Sequence, residues 1–196
     1  MISFGCVIEA KGETPSLIDQ VHGNTVVNAT QLLSRLPADA LWTDTDSEIY
    51  IFTADCLPIL FHGTDPKAPV AAAHAGWRGA LAHIARSTRE AIAIPTAELQ
   101  VWLGPSLKAC CFAVREDFTA VFQKKGFDIA PYLTRHGEKT HFDLVEWVIQ
   151  TQLKDLSREQ LTIDRRCTYC SPEQLPSFRR NGSTDPRIKS WIRRAR

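Results

Sequence analysis

Three short segments carry the side chains best suited to chemistry: Gln20-Val21-His22-Gly23, Thr53-Ala54-Asp55-Cys56-Leu57-Pro58 and His74-Ala75-Gly76-Trp77-Arg78-Gly79. Each sets a histidine or a cysteine at the end of an apolar run and beside a turn former, where strands deliver side chains into loops. Two imidazoles and a thiolate suit a borderline-soft ion, and catalytic zinc takes three protein ligands while keeping one position for water or substrate. Water at such a site becomes a nucleophile near neutral pH. The same residues also permit a metal-free reading, with Cys56 as nucleophile, His74 or His22 as its base, and Asp55 orienting the histidine. A third reading is structural: two satisfied core histidines and a buried thiol. Spacing does not choose among them. His22 and Cys56 are 34 residues apart and Cys56 and His74 are 18 apart, and neither is the short interval of a structural zinc loop.

The other cysteines read differently. Cys110-Cys111 lies in the apolar string KACCFAV, where free cysteine behaves as a small hydrophobe. Cys167-Thr-Tyr-Cys170 is a single CxxC. A zinc ribbon needs a second pair about 15 to 20 residues away, and the chain has none to supply. A redox role stays open, because Ser171-Pro172-Glu173 can begin a helix after the CxxC.

These residues must be positioned by a mixture of strands and helices. Strands are expected at Val7-Ile8, Thr25–Val27, Ile49–Thr53, Ile59–Phe61, Val70–His74, Leu99–Leu103 and Ile188–Ile192, on β-branched and aromatic content. Thr30–Leu36 reads as a short helical turn or connector. Helices are expected over Gly79–Ile92, Glu116–Lys125 and Asp143–Leu156, the last with Asp143 at its N-terminus and an apolar face through Leu144, Val148 and Leu153. The fold class is α+β (mixed α/β), a single domain over residues 1–196 with mixed sheets flanked by helices, and an all-parallel sheet is disfavoured.

Composition bounds the function. The chain has 196 residues, 23 basic and 22 acidic, for a formal charge of +1, which disfavours a nucleic-acid binder. No apolar run approaches the roughly 18 residues of a membrane span. The start, MISFGCVIEAKGE, lacks the basic and apolar regions of a signal peptide, so a cytoplasmic protein with free thiols is expected.

QVHG, TADCLPILF, AAAHAGWRG, WLGPS…CCF, HFDL and CTYC…SFRR occur in this order, from about Gln20 to the end. Together they resemble the YfiH/laccase-domain family, also described as multicopper polyphenol oxidases or DUF152. The resemblance implies a YfiH-like fold and one catalytic zinc on His22, Cys56 and His74. It further implies purine nucleoside phosphorylase activity on adenosine, inosine, guanosine or methylthioadenosine with phosphate, and adenosine deamination. Some members are linked instead to editing a peptidoglycan precursor, which leaves an amidohydrolase as the alternative. A zinc-stabilised binding protein without catalysis is the second alternative. Copper fits less well, because multicopper oxidases use paired H-x-H motifs and none is present.

Gln20, Arg78, Arg179 and Arg180 are the expected substrate-binding residues. A guanidinium fork suits phosphate or carboxylate, so Arg78 and Arg180 are expected to hold an anionic oxygen, with one of Arg179 and Arg180 facing the pocket. His62, His83 and His136 have no evident partner. His141, in HFDL, has no evident partner either, and a supporting role in the site is its lesser reading. The basic end (Arg187, Lys189, Arg193, Arg194 and Arg196) reads as a solvated strand and tail. The chain departs from the family in three places. The longer N-terminal segment, with its TTR-x-GG and pocket arginine, is not among these residues. Ala113 stands where the family has glutamate, and Gly182–Arg187 replaces a compact TGR turn. The sequence leaves the oligomeric state open.

Overall fold

The computed structural model describes residues 1–194. In chain order its elements are β1 (Ile2–Glu9), β2 (Val26–Asn28), β3 (Ala40–Thr43), β4 (Ile49–Thr53), β5 (Leu57–Gly63), β6 (Val70–Ala75), α1 (Trp77–Leu81), α2 (Ile84–Ile92), β7 (Leu99–Leu103), β8 (Ala113–Val114), α3 (Glu116–Gln123), β9 (Leu133–His136), β10 (Lys139–Phe142), α4 (Leu144–Gln152), β11 (Leu161–Ile163), α5 (Phe178–Asn181) and β12 (Arg187–Arg194).

The unbroken apolar runs of β5, β6 and β7 are buried on both faces, which is why they lack polar alternation. They form the middle of a six-stranded sheet ordered β11-β7-β5-β6-β3-β2. Its central pairings are antiparallel, and both outer pairings, β11 with β7 and β2 with β3, are parallel. One face, carrying Ile59, Phe61, Ala71 and Ala73, packs with Ile84 of α2 and with Trp147 and Val148 of α4. The other face, carrying Leu60, Val70, Ala72 and Trp102, packs on Ile49, Ile51 and Ile192. Those last residues belong to a second sheet, β1-β12-β4. The layers are therefore small sheet, large sheet, helices. A third sheet, β8-β10-β9, lies beside α3, where Phe118, Phe122 and Phe142 stack with ring centroids 5.0–5.5 Å apart.

The expected mixed fold is present, with local corrections. The helix expected over Gly79–Ile92 is two helices, broken at His83, whose φ is 65°. Gln152 of α4 explains the break. Its amide oxygen accepts the N–H groups of Ala85 and Arg86 at 3.0 and 3.4 Å, and its amide nitrogen donates to Ala80 O at 2.9 Å. One buried side chain thus satisfies the start of α2 and a carbonyl of α1, groups that helix ends leave unpaired. The turn expected over Thr30–Leu36 is a single 3-10 turn, Ala29–Gln31. The terminal strand is longer than Ile188–Ile192 because β12 pairs along all of β1. Short strands β3, β8, β9, β10 and β11 were not expected; two to four residues are too few to show a period. Among the described residues, no helix is long and apolar enough to cross a membrane.

Candidate metal centre and cleft

Strand register brings the three ligand-type residues together. In the β5–β6 ladder Leu57 lies opposite Ala75 and Pro58 opposite His74, so Cys56, just ahead of β5, meets the end of β6. His22 arrives on the loop before β2 in a left-handed conformation, φ 63°. That conformation is uncommon for a residue with a side chain and is held by Asp39, a fully buried carboxylate just before β3. Asp39 accepts the backbone N–H groups of Val21, His22 and Gly23 at 3.3, 2.9 and 2.6 Å. It also accepts His74 Nδ1–H at 2.8 Å, which turns His74 Nε2 toward Cys56. One carboxylate therefore holds the His74 ring and the His22 backbone, and its bond to the His74 ring is the usual support of a ligating imidazole.

The donors fit one ion. Cys56 Sγ is 3.7 Å from His22 Nε2, and one donor atom from each of the three residues lies within 4.8 Å of the others. A tetrahedral zinc with ordinary bond lengths sets sulfur and nitrogen ~3.6 Å apart. Closure needs glycine at two positions. A Cβ on Gly76 would stand 2.6 Å from His22 Cδ2 and 3.0 Å from Cys56 Sγ, and one on Gly79 would stand 2.8 Å from Gly23 O.

The electrostatics agree. Burial alone would raise the Cys56 thiol, but the His74 charge and hydrogen bonds from both histidines bring it down to about 6. Burial works against the His74 imidazolium, yet Cys56 and Asp39 raise it to about 9. Asp39 is lowered despite burial, by His74 and by the Gly23 and His22 amides. The metal-free centre thus sets a Cys56 thiolate beside a His74 imidazolium, and a cation displaces the His74 proton.

The centre lines a cleft of about 570 Å³, a size ordinary for a small-molecule site. Phe52, Trp77, Phe112 and Phe178 supply apolar wall, and Arg35, Arg179 and Arg187 supply positive charge. Thr53 Oγ1, also on the wall, is buried without a hydrogen-bond partner among the described residues. Asp55 lines the same cleft but is held by residues other than the histidines. It accepts Thr168 Oγ1–H and the Arg179 N–H, both at 2.6 Å, tying the C-terminal loops to the cleft.

The other expected site residues divide. Gln20 lies on the wall, but its amide is used: Nε2 donates to Phe52 O at 2.7 Å and Oε1 accepts Phe52 N–H at 2.8 Å. Arg179 lines the cleft and donates to Ala113 O at 3.0 Å. Arg180 turns away and braces the carbonyls of Thr168, Tyr169 and Leu175. Arg78 is exposed beyond the lining, with its guanidinium 4.2 Å from the Trp77 ring centroid. Of these arginines, Arg179 lines the cleft and Arg78 and Arg180 do not. His141 is buried beside the His136 ring, outside the lining.

The basic end is not simply solvated. Arg187 lines the cleft with its guanidinium 3.8 Å from the Phe52 ring centroid. Lys189 pairs with Glu48 and Glu9, and Arg194 reaches the Thr45 and Lys67 carbonyls. Arg196 lies outside the described residues. Sequence reasoning missed Asp39, Thr53 and Arg187. Only Asp39 left a signal, a lone acid between alanines at the head of an apolar run.

The remaining cysteines required the larger correction. Cys110, Cys111, Cys167 and Cys170 form one cluster, with all four sulfurs within 4.8 Å of one another. The parallel β7–β11 pairing ends at Leu103 and Ile163 and continues in a bridge between Ser106 and Cys167. It lays the two cysteine-bearing loops side by side, across a sequence separation that hid the second pair. Burial raises Cys110 to about 11. Cys167 opposes burial with N–H groups of Lys108, Cys170 and Tyr169 aimed at its sulfur, and falls to about 7.

Known proteins resemble this chain over most of its length. The family described as multi-copper polyphenol oxidoreductase laccase matches residues 7–195. Purine nucleoside phosphorylase YfiH of Escherichia coli strain K12 is 34% identical over 191 residues, spanning 93% of this chain and 76% of that protein. A purine nucleoside phosphorylase of Clostridium acetobutylicum is 29% identical over 181 residues, spanning 89% and 75%. The crystal structure of a Neisseria meningitidis DUF152 protein superposes with a TM-score of 0.82 at 31% identity, covering 93% of this chain and 76% of that one.

Proposed function

The chain belongs to the multi-copper polyphenol oxidoreductase laccase family, and from that premise we propose that it is a zinc-dependent purine nucleoside phosphorylase that also deaminates adenosine. The observation carrying this reading is the convergence of His22, Cys56 and His74 at one wall of an aromatic, arginine-bearing cleft. A zinc ion held by those three residues would act as a Lewis acid toward a substrate oxygen.

The chain's own residues account for the rest. Phe178, exposed on the cleft wall, offers a ring of the size a purine stacks on. Arg179 and Arg187 hold phosphate, the nucleophile of phosphorolysis, through charge-assisted hydrogen bonds. Thr53 Oγ1, otherwise unpaired, offers a hydrogen bond to a ribose hydroxyl or phosphate oxygen. In phosphorolysis a phosphate oxygen bonds to C1′ of the ribose, the N-glycosidic bond breaks, and the purine leaves with a proton. In deamination water adds at C6 and ammonia leaves. The single cysteine and two histidines suit one ion, and no paired H-x-H motif is present for a copper cluster.

The test is incubation of purified protein with adenosine, with and without phosphate. Phosphate-dependent adenine and phosphate-independent inosine are the expected products. Cys56→Ala should lose bound zinc and both activities, and full turnover in the zinc-free variant overturns the reading. Turnover of a muramyl-amino-acid nucleotide instead identifies the cell-wall editing alternative. Bound zinc with no product from either substrate favours a binding protein, and several equivalents of copper return the oxidase reading.

A further inference from the structure

We propose that Cys110, Cys111, Cys167 and Cys170 form a second metal site, a closed four-thiolate zinc centre that clamps two loops of the cleft wall together. It is separate from the His22–Cys56–His74 centre and does not depend on the function proposed above.

Geometry carries the proposal. A tetrahedral zinc with Zn–S bonds of ~2.3 Å holds its sulfurs ~3.8 Å apart. Cys110 Sγ and Cys170 Sγ stand 3.7 Å apart, and no pair of donor atoms in the group exceeds 4.8 Å. Four sulfurs converging on one point is the donor set that selects zinc over harder ions. The Cys167-Thr-Tyr-Cys170 segment is a tight turn, closed by Ser171 N–H on Cys167 O at 3.0 Å. The opposite pair sits on its own turn, where Cys111 and Phe112 both donate to Lys108 O at 2.9 Å. All six cysteines of the chain are free thiols, so no disulfide competes for these four.

Charge completes the argument. Zinc with four thiolates is a dianion, formed with release of each thiol's proton. Without a cation, four sulfurs this close cannot all ionise, because like charges oppose one another.

The position says what the clamp does. Leu107 and Phe112 of one loop line the cleft. Thr168 of the other donates to Asp55, beside Cys56, and the Thr168 and Tyr169 carbonyls receive Arg180. A metal joining these loops fixes the wall next to the first centre while leaving its ligands untouched.

The test is metal stoichiometry on full-length protein purified under reducing conditions. Wild type should carry two zinc ions per chain, Cys56→Ala one, and Cys110→Ser/Cys170→Ser one. Cobalt in Cys56→Ala should show the intense sulfur-to-metal charge transfer of a thiolate-only site. So that the answer does not rest on the folding of the double variant, the same question is put to Cys56→Ala alone. A chelator should remove its remaining zinc, lower its Tm and expose four alkylatable thiols. One zinc in wild type and none in Cys56→Ala overturns the proposal. So do disulfides among the four cysteines in the isolated protein, and so does iron or copper as the second equivalent.

Discussion

Replacing Asp39 by asparagine keeps the side chain's shape but removes its charge. The buried oxygen that accepts His74 Nδ1–H and the His22 N–H then belongs to a neutral amide, and one further acceptor becomes a donor facing backbone N–H groups. Outer-shell changes of this kind cost about 10- to 100-fold in metal affinity. Asp39→Asn should show that loss in competition with a zinc chelator, and an unchanged affinity would mean that Asp39 does not orient the ligands. The pH dependence follows from the same group of residues. His74, raised to about 9, is protonated in the metal-free centre below that pH, while Cys56, lowered to about 6, is already a thiolate above 6. Between these values zinc displaces one proton, so its affinity should fall about tenfold per pH unit on acidification, and at least about 100-fold per unit below 6, where Cys56 is protonated too. Chelator titrations in Cys110→Ser/Cys170→Ser at several pH values measure both slopes; a flat profile across 6 to 9 would refute the thiolate–imidazolium description. At this scale the three residues that converge, His22, Cys56 and His74, were legible, because each sits in a short motif. Asp39 was not, because its partners lie 16 to 35 residues away and only the folded chain joins them.

Elements decide how close the ligands come. α1 starts at Trp77, immediately after Gly76, and this start is possible only because Gly76 leaves room for His22 and Cys56. Gly76→Ala should push His22 or Cys56 from its place and reduce bound zinc to well below one equivalent at the first centre, measured in Cys110→Ser/Cys170→Ser. Retention of a full equivalent would show that the loop can yield. The long buried strands were readable from composition, since a strand buried on both faces is apolar throughout. The break between α1 and α2 was not, because the residue responsible, Gln152, lies on α4. Charge deceived at the other end of the chain. Arg187 looked like part of a solvated tail, yet β12 pairs with β4 and sets it over Phe52. Arg78 looked like a ligand clamp, yet the first turn of α1 carries it outward against Trp77.

At the scale of the whole molecule, the large sheet is the frame to which every functional loop is attached. β5 and β6 fix Cys56 against His74, β3 follows Asp39, and the β7–β11 pair carries the four-cysteine loops. The mixed fold was legible because local patterns differ between strand and helix. The cysteine cluster was not, because parallel pairing of β7 and β11 is a property of the assembled sheet. Neither interval between the ligands matched any zinc signature, and the ladder gives the reason. Cys56 and His74 are brought to the same end of the β5–β6 ladder by cross-strand register, with His74 opposite Pro58, so the length of chain between them is free to vary provided the register is kept. The exposed turn between β5 and β6, residues 64–67, can then act as a neutral spacer. Adding four glycine and serine residues between Pro66 and Lys67 should leave zinc affinity within about twofold, since longer surface loops cost little. Deleting one residue within β5 should abolish binding, because a one-residue slip turns alternate side chains to the other face. Equal losses in both variants would show that loop length, not register, holds the ligands. Members of such a family can therefore drift in length between their ligands without drifting in chemistry, and a search keyed to strand ends will find relatives that one keyed to fixed intervals discards.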